Sequence, residues 1–123
     1  MLNGRTALIV EEEFLIALDL QRMLENEGAG HTLFARSAIE AEQLHAYWPD
    51  LAVAIIEVRR HDTAVRQLIE SLRTAAIPVV LITSDVAVHR DPGLGQTDLA
   101  VVIKPVPEDA MAKAIRQALS APD

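Results

Sequence analysis

Along this chain of 123 residues the apolar pattern switches five times between a short run and a helical period. Few folds accept that rhythm. A strand that feeds a helix and returns beside itself is a βα unit, and five in succession form a parallel sheet with right-handed crossovers. Ala7-Leu8-Ile9-Val10 is the first run, after which Ile16, Leu20, Met23 and Leu24 share one face of a helix closed by Gly28 and Gly30. His31 to Ala35 reads as the second strand. Ser37-Ala38-Ile39-Glu40 then has the spacing of a capping box, opening a helix with Ala41, Leu44 and Trp48 inward that Pro49 and Asp50 end. Tyr47 and Trp48 read as packing at the end of that helix.

Leu51 to Ile56 is an unbroken apolar run, too short for a helix and typical of a strand covered on both faces. Asp62 can cap a helix in which Val65, Leu68, Ile69 and Leu72 form an i, i+3, i+4, i+7 stripe, and Ile77 to Ile82 follows as the fourth strand. Leu99 to Ile103 is the fifth. The last helix starts at Pro107, carries Glu108 and Asp109 at its positive end, and buries Met111, Ala114, Ile115 and Ala118. Between the fourth and fifth strands, Asp91-Pro92-Gly93-Leu94-Gly95 interrupts any helix begun at Ser84 or Asp85, so the fourth helix is expected to be short or irregular.

The length suits a single domain over residues 1–123, and α/β with the doubly wound, flavodoxin-like strand order 2-1-3-4-5 is the commonest five-strand solution. Composition narrows the function. With net charge −7 and its eleven Lys and Arg scattered, the chain shows no surface suited to a phosphate backbone, so nucleic acid is not expected as a partner. Without cysteine there is neither disulfide nor thiolate metal site. The apolar runs are far too short to cross a membrane and the N-terminus lacks a signal peptide's apolar stretch, giving an expected cytoplasmic location. His31, His45, His61 and His89 lack metal-ligand spacing and are expected to face solvent or to be satisfied locally.

In open parallel sheets, sites form beyond the carboxyl ends of the strands. Those ends carry Glu11, Glu12 and Glu13 after the first strand, Glu57 after the third, Thr83 and Ser84 after the fourth, and Lys104-Pro105 after the fifth. An acidic pair, a further acid, a hydroxyl and Lys-Pro in that order resemble the response-regulator receiver domains of bacterial two-component signalling. Ile9 to Leu20 resembles that family's opening and Pro78 to Thr83 its fourth strand.

The resemblance implies a Mg²⁺ site formed by Glu11, Glu12 and Glu57 with the Arg59 carbonyl, and a cis bond before Pro105. It also implies a phosphoacceptor at position 57, served by Thr83 and Lys104 and fed by a histidine kinase. The chain departs from that pattern at the reacting atom, because glutamate stands at 57 where the family has aspartate. A carboxylate one methylene further out displaces the nucleophile by roughly 1 Å, enough to cost on the order of a hundredfold in rate. Longer ligands also fit the tight octahedron of Mg²⁺ poorly, so metal binding is expected to be weak or lost. Val101 replaces the aromatic residue that the family places three positions before its lysine. Thr83 and Ser84 read equally well as caps and as switches.

The function expected is an atypical stand-alone receiver module that is not an enzyme and needs no cofactor. It would bind a protein of a two-component pathway, a histidine kinase or a downstream regulator, without efficient phosphorylation. Lys104, helped by Arg59 or Arg60, would neutralise Glu57 directly. The face beside the fifth strand and last helix, with Val86, Val88 and Leu94 exposed, would meet the partner or form a homodimer. The alternative is a competent receiver in a phosphorelay that accepts a phosphoryl group on Glu57 with Mg²⁺. A flavin or nucleotide binder is disfavoured, because no Gly-rich phosphate loop follows the first strand and aromatic residues are few.

Overall fold

Each apolar run forms a strand in the computed structural model, which describes residues 1–90 and 99–120. The elements are β1 (Thr6–Val10), α1 (Phe14–Asn26), β2 (His31–Ala35), α2 (Ala38–Gln43), a 3₁₀ helix (His45–Asp50), β3 (Leu51–Glu57) and α3 (Thr63–Thr74). β4 (Val79–Thr83), a second 3₁₀ helix (Val86–Arg90), β5 (Ala100–Ile103) and α4 (Glu108–Ser120) complete the described chain. All four strand pairings are parallel and the order is β2-β1-β3-β4-β5. This is the doubly wound, flavodoxin-like arrangement that the sequence pattern predicts.

The sheet divides the core in two. Leu8 and Val10 of β1 project into a cluster with Trp48, Ala38 and Ala41 of α2, and Val65, Leu68, Ile69 and Leu72 of α3. The intervening Ala7 and Ile9 project to the other face, against Ala17, Leu20, Met23 and Leu24 of α1 and Met111, Ala114 and Ile115 of α4. Alternation along one strand therefore places α2 and α3 on one face and α1 and α4 on the other. The central strand β3 is covered on both faces, and Val53, Ala54, Ile55 and Ile56 are wholly buried. Ser37 and Asp62 cap their helices as expected, accepting the Glu40 and Val65 N–H groups at 3.2 and 3.1 Å.

Three expectations need correction. The helix after β2 does not run to Pro49 but stops at Gln43 and tightens into a 3₁₀ turn, in which Trp48 is buried while Tyr47 points to solvent. A threefold turn rotates side chains differently from an α-helix, so one of two adjacent aromatics is carried out of the core. Val88, expected on the surface of an irregular stretch, lies in the second 3₁₀ helix and is fully buried against the α2–α3 side of the sheet, while Val86 is exposed. Leu94, with Asp91 to Gly95, lies outside the described residues. His31, His45 and His61 are exposed. No helix among the described residues is long and apolar enough to cross a membrane.

Candidate functional site

The register of the sheet brings the four predicted strand ends to one edge. Val10 pairs with Ile56, Glu57 with Ile82, and Thr83 with Ile103, so Glu57 and Thr83, which end β3 and β4, and Glu11 and Lys104, which follow β1 and β5, emerge side by side. Glu11 continues β1, its N–H donating to the Ala35 carbonyl of β2 at 3.0 Å. Lys104 is fixed in the same way, its N–H donating to the Thr83 carbonyl at 2.7 Å. The Lys104–Pro105 peptide bond is cis.

At the centre is a buried ion triad. The Lys104 ammonium donates to Glu11 Oε1 at 2.8 Å and to Glu57 Oε2. The Glu11 side chain is completely excluded from solvent, and those of Lys104 and Glu57 are only 10% and 12% exposed. Glu11 Oε2 accepts the Glu13 N–H at 3.1 Å, so both oxygens of this buried carboxylate are satisfied. Burial alone would push the Lys104 ammonium towards its neutral form, but the hydrogen bonds and charges of Glu11 and Glu57 outweigh it and raise its pKa above the usual lysine value. Lysine is thereby held charged.

Outside this triad stands Arg59. One of its terminal nitrogens contacts Glu12 Oε1 and lies 3.3 Å from Glu57 Oε1. Its pKa is raised, chiefly by the hydrogen bond to Glu12 and then by the charge of Glu57. Both oxygens of Glu57 consequently face a cation, Lys104 on one side and Arg59 on the other. Three carboxylates and two cations leave the cluster with one net negative charge.

Arg60 does something else. Its guanidinium holds Asp85 through Nε at 2.6 Å, with a longer second contact at 3.4 Å, and does not assist Glu57. The Asp85 carboxyl is held below the usual carboxylate range, first by Arg60 and then by the Ala87 N–H. Thr83 is fully buried and its hydroxyl accepts the Asp85 N–H at 3.0 Å, which is capping geometry, while Ser84 is exposed. Sequence reasoning missed Asp85 and the Arg59–Glu12 contact. Arg59 lies two residues beyond Glu57, a proximity in the sequence that could have located the second.

As they stand, these residues do not fit a Mg²⁺ ion. Glu12 and Glu57 turn towards one guanidinium, Glu11 turns towards Lys104, and no group of three acidic or imidazole side chains among the described residues is poised around a cation. Hollows open on two sides of the cluster. One of about 200 Å³ is lined by Glu11, Glu12, Glu57 and Arg59 with Arg36 and Asp62. The other, about 700 Å³, runs between Leu15 and Ile16 of α1 and Pro105 and Val106, with Glu57, Arg59 and Lys104 along it.

No family model and no curated protein matches the chain. Solved structures do. A response regulator receiver protein from Sinorhizobium medicae aligns over 98% of this chain and 98% of its own with a TM-score of 0.80, at 20% identity. Chemotaxis protein CheY4 of Vibrio cholerae aligns over 94% of this chain and 98% of its own, with a TM-score of 0.73 and 16% identity. The response regulator PhyR of Brucella abortus is 28% identical with a TM-score of 0.69; the alignment takes 94% of this chain but only 48% of PhyR, about half its length. The chain thus has the receiver fold of response regulators.

Proposed function

We propose that this protein is a regulatory receiver module that works by binding another protein of a two-component pathway, with Glu57 held in a fixed charge arrangement that neither metal nor phosphate has to complete. One observation carries the reading: both oxygens of the residue at the phosphoacceptor position face a cation supplied by the chain itself. A nucleophile must offer a free lone pair to an incoming phosphorus, and an oxygen that is ion-paired and mostly buried is a poor one. The longer reach of glutamate adds to the misplacement. Receiver domains are signalling modules whose partners are kinases or regulators, and that class of partner is the one proposed here. The protein is not an enzyme on this reading.

Incubation with acetyl phosphate and Mg²⁺, followed by intact-mass measurement, tests it. The mass should stay unchanged; addition of one phosphoryl group, lost on Glu57→Gln, would end the reading. Comparison of the native chain with Glu57→Asp in partner capture then asks whether the longer acid sets the signalling state.

A further inference from the structure

The smaller hollow contains a substitution of one kind of cation for another. A single Arg59 nitrogen reaches both Glu12, which follows β1, and Glu57, which ends β3. Joining carboxylates from two different strand ends is the work of a bridging ion, and here a side chain does it. We infer that Arg59 is a built-in competitor for divalent metal: it occupies Glu12 and Glu57, and its removal uncovers a cation site formed by those two carboxylates, Glu11 remaining committed to Lys104 and the Glu13 N–H.

Charge, space and exposure all bear on this. With Arg59 the cluster carries one net negative charge; without it, Lys104 alone opposes three carboxylates and the balance becomes that of a divalent ion's partner. The hollow of about 200 Å³ beside these residues has room for an ion that keeps several waters, each occupying roughly 30 Å³. Arg59 is 59% exposed and Glu12 49%, so the guanidinium can leave without disturbing the core. Exposed pairs of this kind are weak, and the competitor acts mainly by placing a positive charge a few ångströms from where the ion must sit. Arg60, one residue on, cannot substitute, because it is committed to Asp85. The inference stands on the cluster's geometry and is independent of which protein the module binds.

Titration calorimetry of the full chain with Mg²⁺, and separately Mn²⁺, provides the test, with thermal melting as a check that each variant is folded. Arg59→Ala should bind at least about tenfold more tightly than the native chain. Arg59→Lys, which keeps the charge, should stay close to native. Arg60→Ala removes the same charge from outside the cluster and should gain nothing. Equal affinity of Arg59→Ala and native protein overturns the inference, and so does an equal gain in Arg60→Ala, which would reflect net charge alone. A gain that survives in Arg59→Ala/Glu57→Gln also overturns it, since the ion would then bind elsewhere. None of these results depends on phosphoryl transfer or partner capture, so either reading can fail alone.

Discussion

At the amino end of the sheet Leu2 is only 1% exposed and Gly30 lies against the Gly4 backbone, so closely that a Cβ there would come within 2.3 Å of the Gly4 oxygen. At the carboxyl end of the same strands stand Glu11, as buried as the core, and the largely buried Glu57 and Lys104, all three charged. One end is closed by backbone contact and apolar packing, the other by ions that satisfy one another. The difference teaches where function can reside. Close packing has one solution and tolerates no change of shape, whereas a charge cluster can be rearranged by any group that alters its balance.

Removing the central cation should have the largest effect. Lys104→Met leaves Glu11 buried with only the Glu13 N–H, and loss of one partner of such a pair should cost about 3–5 kcal/mol in urea unfolding at neutral pH. Because the folded-state pKa of Lys104 is raised, its contribution is fully present below the ordinary lysine value of 10.5 and disappears as pH rises through the higher folded value. The gap between native and Lys104→Met should therefore narrow only under strongly alkaline conditions. A variant as stable as the native chain would show that the carboxyl end is not held by charge.

At the opposite end, Gly30→Ala should cost about 1–3 kcal/mol, because the backbone at Gly4 must shift to admit the methyl group. This loss should be indifferent to salt and to pH, and any strong dependence on either would blur the contrast between the two ends. Arg60→Ala should have the smallest effect, since the Arg60–Asp85 pair lies at the exposed margin of the cluster. Whatever the pair contributes is present above the ordinary aspartate range and is lost as pH falls through the depressed Asp85 value, and high salt should erase it. A melting-temperature series in NaCl would detect the opposite result.

The strands and the strand ends were legible because both follow from periods of the chain itself. Runs such as Leu51 to Ile56 announce a covered strand, and parallel register then forces Glu11, Glu57, Thr83 and Lys104 together. The misreadings fall where the period changes. Tyr47 lies in a 3₁₀ turn, whose threefold repeat an α-helical reading places on the wrong side, and Val88 lies in a second such turn, in a stretch that offers no helical period to read. Arg60 went astray for another reason. Val58 still hydrogen-bonds the Ile82 carbonyl as though the strand continued, which sends Arg60 beside the β4 loop and Asp85 rather than back to Glu57. Such a choice between two nearby acids depends on distances in space that no spacing along the chain encodes. Phe14 at 71% and Leu15 at 80% exposure, for which the sequence reading gives no expectation, lie away from the inward stripe of α1 that buries Leu20, Met23 and Leu24.

The pairing of Arg59 with Glu12 and Glu57 has a consequence for how constant the cluster is. An ion taken from solution comes and goes with supply, chelators and rival proteins, but a guanidinium two residues along the backbone is present in every copy at a fixed local concentration. Its place beside those two carboxylates is written into the sequence and does not vary with what the solution holds.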